Sequence, residues 1–255
     1  MKIARFSHDN RIAYGIIDET EIVVLDGDPM YAGFDTTGER VPLGEVTLLA
    51  PVIPRSKIVA VGKNYRDHVT EMGGADATPP AEPLLFFKPN TSVIGPENPI
   101  VIPPITTRVS YEAELAIIIG SVAKNVPAAD ADKVVFGYTI ANDVTARDLQ
   151  ESDGQWARAK GLDSFCPIGP IVETEFDPAG KRIISRLNGE VRQDGVLDDM
   201  IHDIPKIIEY VSAAFTLLPG EIILTGTPAG VGEMNPGDRV ECEIEGLGIL
   251  SNPVR

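Results

Sequence analysis

Cysteine is nearly absent. Cys166 and Cys242 are the only two in 255 residues, far apart and outside any CxxC pattern. That suits reduced thiols in a cytoplasmic protein rather than a disulfide framework. Long hydrophobic runs are missing too. No stretch approaches the roughly 18 apolar residues of a membrane-spanning helix, and the N-terminal MKIARFSHDN has no apolar segment of the kind a secretory leader needs. Positive charge is scarce: 22 Lys and Arg face 38 Asp and Glu, a formal charge of −16. Nucleic acids and anionic membranes attract basic surfaces, so this balance argues against both as partners. There is no internal repeat, and the glycine-rich TGTPAGVG at 225–232 lacks the Gly-Lys-Ser/Thr of a P-loop.

What is present is ordinary in bulk, with 43% hydrophobic and 24% charged residues, but rich in punctuation, with 24 Gly and 21 Pro. Short strands separated by turns follow from that. The segments KIARFS, RIAYGIID and EIVVLDG alternate as antiparallel strands do. The Pro- and Gly-containing passage TTGERVPLGEVTLLAPVIPRSK then reads as a transition. We divide the chain at 53/54, into a small β domain over 1–53 and a larger unit over 54–255. In the larger unit, IVAVGKNY, PLLFFKP, NPIVIPP and KVVFGYTIAND read as strands. RIISRLNGEVRQDG reads as a hairpin turning at Asn188-Gly189. RDHVTEMGG and TARDLQESD are short helices. DIPKIIEYVSAAFTLL has helical apolar spacing, with Asp203 as N-cap and Pro205 in the first turn. The class is mainly β with peripheral helices, α+β.

One stretch poses a chemical problem. VSYEAELAIIIG at 109–120 enters a buried strand, yet carries Glu112 and Glu114. Residues i and i+2 of a strand share a face, roughly 6.6–6.8 Å apart. Two ionised carboxylates at that spacing repel by about 2–3 kcal/mol at an effective dielectric near 20, and burial adds desolvation. Three arrangements relieve this: both face solvent, each pairs with Lys or Arg, or a cation sits between them. Asp143 ends another apolar strand, VVFGYTIAND, and offers a third oxygen. Three carboxylates with no local His or Cys would suit Mg²⁺, Mn²⁺ or Ca²⁺ rather than zinc. His68 and Glu71, three apart on a helical turn, can pair as a general base and the carboxylate that orients it. His8 and His202 read as structural.

The motifs VGKNYRDHVTEMG, FFKPNTSVIGPENPIVIPP, VSYEAELAIIIG, ANDVTARDLQ, ARAKGLDSFCPIGP and LTGTPAGVG occur in this order. Together they resemble the fumarylacetoacetate hydrolase superfamily over roughly residues 56–252. The first fifty residues resemble the small N-terminal domain of some prokaryotic members. The resemblance implies a mixed β-roll or barrel-like catalytic domain, a homodimer, and one Mg²⁺ or Mn²⁺ held by Glu112, Glu114 and Asp143. It implies that His68 and Glu71 lie on a flexible segment that orders over substrate, and that Lys160 stabilises an enolate or oxyanion. Arg147 and Gln150 would contact substrate, and Thr227, with nearby N–H groups, would bind a substrate carboxylate.

The chemistry implied acts on a small-molecule 2-oxo acid. Cleavage of the C3–C4 bond of a short 2-oxo dicarboxylate is the leading expectation, as oxaloacetate decarboxylation or acylpyruvate hydrolysis. Isomerisation of 2-hydroxyhepta-2,4-diene-1,7-dioate or 5-carboxymethyl-2-hydroxymuconate is the alternative. A non-catalytic metal- or ligand-binding protein is a third reading, though such a module has no use for a His–Glu dyad. A glycoside hydrolase is disfavoured, because same-face carboxylates on one strand do not flank a sugar.

Overall fold

The computed structural model describes residues 1–255, and its architecture is mainly β. The principal sheet has twelve strands. Its path runs from Thr36–Pro42 through Glu21–Leu25, Arg11–Asp18 and Lys2–His8 to Cys166–Glu173, then Val135–Asn142, Ala113–Ile119, Ile222–Leu224, Lys57–Gly62 and Leu84–Pro89. The N-terminal meander therefore extends the main sheet, joined at Lys2↔Glu173 and Ile3↔Val172. A four-stranded sheet, ordered Glu190–Val196, Arg182–Leu187, Arg239–Ile244 and Gly248–Pro253, packs over it, and a three-stranded one holds Val109–Tyr111 at its centre. The sheets stay open, and no barrel closes. No helix is long and apolar enough to cross a membrane.

Strand Ala113–Ile119 is buried along its whole length. Alternation divides it between two cores. Ala113, Leu115, Ile117 and Ile119 join the largest cluster, while Ala116 and Ile118 join a second with Ala60, Ala141, Cys166 and Leu224. By the same alternation, Glu114 shares the face of Ala116 and Ile118, and Asp143 follows Ala141 by two. The carboxylates thus sit at the end of an apolar layer. Each large aliphatic buried there contributes about 1.5–3 kcal/mol, which offsets the cost of holding charge beside it.

The hairpin forms as expected, with Asn188 and Gly189 at φ 55° and 83°, the left-handed pair a type I′ turn requires. Asp203 caps helix Ile204–Ala214 by accepting the Lys206 N–H at 2.9 Å. Two segments differ from expectation. NPIVIPP forms only a single bridge, Ile100↔Val254, because Pro99, Pro103 and Pro104 offer no N–H with which to lengthen the ladder. Part of the expected transition is instead an edge strand, Thr36–Pro42, in which only Val41 is buried. An edge tolerates Pro42 and needs no apolar alternation.

Candidate metal centre and active site

The strand breaks at Glu112, between Val109–Tyr111 and Ala113–Ile119. Asn142 and Asp143 hold the break. The Asn142 Oδ1 accepts the Glu112 N–H at 2.9 Å, and the Asp143 N–H donates to the Glu112 carbonyl at 2.8 Å. This local exchange brings Asp143 to the two glutamates. Ligand oxygens of Glu112, Glu114 and Asp143 all lie within 4.8 Å of one another, and all three residues are buried.

Cations converge on the cluster. Lys160 Nζ donates to Glu112 Oε2 at 2.7 Å and to Asp143 Oδ2 at 2.5 Å. Arg147 Nη2 lies 2.7 Å from Glu112 Oε1, an ion pair without hydrogen-bond alignment. Its Nη1 donates to Gln150 Oε1 at 3.0 Å. Lys88, fully buried, donates to Asp143 Oδ1 at 2.5 Å and to the Val144 carbonyl at 3.2 Å. The sequence reading missed Lys88. Its signal was a lone lysine in the apolar strand LLFFKP, where an unpaired ammonium would be costly.

The three carboxylates fare differently. Burial raises the Glu112 carboxyl, but Lys160 and Arg147 outweigh it and hold the group well below the ordinary range. Burial, Asp143 and Glu112 together push Glu114 well above it. Glu114 pairs with no lysine or arginine side chain, and Oε2 accepts one hydrogen bond, from Gly226 N–H at 2.7 Å. Burial depresses Lys160, yet Asp143 and Glu112 raise it further, so it remains an ammonium. Burial pushes the neighbouring Cys166 thiol up to about 12, which keeps it neutral and a poor ligand. An all-oxygen donor set with one carboxylate lacking a counter-charge fits a hard divalent cation.

His68 and Glu71 lie on helix Arg66–Gly73, and His68 Nδ1 pairs with Glu71 Oε2 at 3.0 Å. The other Glu71 oxygen accepts the Gly230 N–H at 2.9 Å. The glycine-rich loop thus spends its N–H groups on site carboxylates, Gly226 on Glu114 and Gly230 on Glu71. Only glycine suits these positions: φ is +97° and +99°, and a Cβ at Gly230 would lie 2.1 Å from the Arg192 carbonyl oxygen.

One cavity of about 200 Å³ gathers His68, Glu112, Arg147, Gln150 and Lys160, with Gly62, Lys63, Met72 and Trp156 completing its wall. Glu71 backs His68, while Glu114 and Asp143 back Glu112 and Lys160. Thr227 is not among the lining residues. Its hydroxyl donates to the Ala113 carbonyl at 2.8 Å and accepts from Gln193 Nε2 at 2.7 Å. Gln193, fully buried, also accepts the Ala113 N–H at 3.0 Å. It braces the residue between the two glutamates, and nothing in its exposed-looking hairpin sequence signals that.

Residues 57–255 match the family model described as fumarylacetoacetate (FAA) hydrolase C-terminal, and residues 1–51 the model described as Rv2993c-like, N-terminal. The mitochondrial oxaloacetate tautomerase FAHD2A of Homo sapiens is 43% identical over 225 residues, covering 84% of this chain and 71% of that protein. The crystal structure of a 2-hydroxyhepta-2,4-diene-1,7-dioate isomerase from Mycobacterium marinum superposes with a TM-score of 0.91 at 45% identity, covering 100% of this chain and 98% of that one. A maleylpyruvate hydrolase from Sphingobium sp. SYK-6, in complex with manganese(II) and pyruvate, superposes with a TM-score of 0.81 at 31% identity, again over 100% and 98%. The family model spans residues 57–255, most of the chain, and the solved relatives share its fold over nearly their whole length: the chain belongs to the fumarylacetoacetate hydrolase family.

Proposed function

We propose that the protein is a divalent-metal-dependent enzyme that cleaves the C3–C4 bond of a short 2-oxo dicarboxylate, by oxaloacetate decarboxylation or fumarylpyruvate-type hydrolysis. The observation that carries this reading is the convergence of His68, Glu112, Arg147, Gln150 and Lys160 on one cavity. Glu112, Glu114 and Asp143 would hold Mg²⁺ or Mn²⁺, supplying Lewis acidity toward the 2-oxo and carboxylate oxygens of a pyruvyl unit. The hydrolase relative with manganese and pyruvate supports that pairing of metal and ligand.

The side chains supply the remainder. Glu71 takes the Nδ1 proton of His68 as a hydrogen bond, which leaves Nε2 as the ring's acceptor. In hydrolysis His68 Nε2 removes a proton from water as the oxygen adds to the acyl carbon. The C3–C4 electron pair then collapses onto the pyruvyl unit, the acid departs, and C3 takes up a proton. In decarboxylation CO₂ departs and no water is needed. Lys160 offsets negative charge growing on the 2-oxo oxygen in either case. Arg147, braced by Gln150, orients the substrate carboxylate. Thr227 contributes by holding the loop and Ala113 rather than by a free hydroxyl.

Tautomerisation or isomerisation is the second reading, favoured by the names of the human and Mycobacterium marinum relatives. It uses the same dyad to move a proton at C3 and breaks no carbon–carbon bond. A homodimer is part of the proposal, supported by exposed Leu84 and Phe87 on the open edge strand Leu84–Pro89. The test is a product assay on metal-stripped protein with oxaloacetate, fumarylpyruvate and acetylpyruvate, each with and without Mg²⁺ or Mn²⁺. Metal-dependent pyruvate supports cleavage. Enol–keto exchange of oxaloacetate without pyruvate, or silence on all three with activity on 2-hydroxyhepta-2,4-diene-1,7-dioate, transfers the assignment to the second reading, and silence on the dioate as well removes both.

A further inference from the structure

Lys63 combines a backbone that disfavours a side chain with a side chain that lacks a partner. Its φ of 58° lies in the left-handed region, where a Cβ is strained and which tends to be retained at functional positions. The next residue keeps it there. Asn64 Nδ2 donates to the His202 and Thr225 carbonyls at 3.0 and 2.7 Å, and Oδ1 accepts the His202 N–H at 2.8 Å. The Asn64 carbonyl accepts the Ile201 N–H at 2.7 Å. On the other side, Gly62 lies so close to Trp156 that a Cβ would come within 2.7 Å of the indole. Lys63 is therefore presented from a fixed backbone at the cavity wall, beside Trp156.

The charges in that wall are unequal. Arg147 is paired with Glu112, and Lys160 with Glu112 and Asp143. Lys63 is the lining cation left without an ion pair, exposed at the mouth of a protein whose net charge is −16. Building on the reading above, we propose that Lys63 recognises the distal carboxylate of the substrate, so that the cavity selects dianionic 2-oxo acids over those with a neutral tail. The pyruvyl end lies inward at Glu112 and Lys160, and the second carboxylate meets the Lys63 ammonium at the rim.

Fumarylpyruvate ends in a carboxylate that acetylpyruvate lacks, so the ratio of their KM values isolates this contact. In Lys63→Met the preference for fumarylpyruvate falls about tenfold, the size of one lost charge-assisted hydrogen bond. The loss appears in KM more than in kcat, and Lys63→Arg restores most of it. Titration calorimetry with oxaloacetate and pyruvate gives a readout that needs no turnover, since only oxaloacetate has the distal carboxylate. A KM ratio and a binding preference both unmoved by Lys63→Met overturn the inference and leave the proposed reaction standing. A binding preference that depends on Lys63 in a protein that turns over neither acylpyruvate nor oxaloacetate upholds the inference and removes the reaction. A wild-type protein that binds neither ligand overturns both.

Discussion

Glu71 joins two elements that are 159 residues apart: one carboxylate oxygen accepts the Gly230 N–H at 2.9 Å while the other holds His68 Nδ1 at 3.0 Å. The orientation of the base and the docking of its helix therefore depend on one side chain. Glu71→Ala should lower kcat by about 10²-fold or more, the usual scale of a general-base contribution. Amide exchange across helix Arg66–Gly73 should accelerate in the same variant. Full activity with unchanged exchange would show that the dyad is not the base.

The carboxylate cluster makes metal binding visible without any substrate. At a Mg²⁺ or Mn²⁺ concentration near 100 times its dissociation constant, stability should rise by about 2.7 kcal/mol. For a chain of this size that corresponds to a Tm increase of about 5–10 °C. Glu114→Gln should abolish most of that rise. A melting curve indifferent to both ions in the wild type would remove the metal from the proposal.

Lys88 is the sole lysine or arginine that pairs with Asp143 Oδ1, and both residues are fully buried. Removing one partner of a buried ion pair typically costs about 3–5 kcal/mol. Lys88→Met should lose stability on that scale when metal-free, and added divalent cation should return part of it. Denaturant titration with and without metal reads both effects, and a loss below about 1 kcal/mol would contradict the assignment.

Asp148 ties the helix bearing Arg147 to the preceding loop, accepting from Thr106 Oγ1 at 2.6 Å and from Thr107 N–H at 2.9 Å. Burial raises its carboxyl, but these hydrogen bonds outweigh burial and hold it below the ordinary range. A depressed folded-state pKa contributes stability above the unfolded value of about 3.9 and loses it as pH falls through the folded one. Asp148→Asn should therefore be destabilised at pH 7, with the gap to wild type narrowing below about pH 4. A gap of constant size between pH 7 and pH 3 would assign the loss to packing instead.

Much of this was legible because side-chain period and motif order point the same way. The same-face glutamates, the dyad spacing and the Asn188-Gly189 turn each follow from local rules. Strand Cys166–Glu173 did not, because Pro167, Gly169 and Pro170 argue against a central strand. It exists by changing neighbours along its length: Val93–Ile94 beside Cys166 and Pro167, Val135–Asn142 further on, and Lys2–His8 at Val172 and Glu173. Lys88 and Gln193 escaped for a related reason. Their partners, Asp143 and Ala113, are remote in sequence, and only the tertiary fold makes a buried lysine or glutamine affordable.

The continuity of the N-terminal meander with the main sheet has a consequence for chain architecture. Without Lys2–His8 the far end of Cys166–Glu173 would be a bare edge at Val172 and Glu173, and Ile171 and Val172 would lose the cover of Ile3, Ala4 and Phe6. Such an edge templates aggregation. The first fifty residues therefore act as a sheath for a sticky seam of the main sheet. A relative without them needs its own guard there, whether a charge, a bulge or another chain.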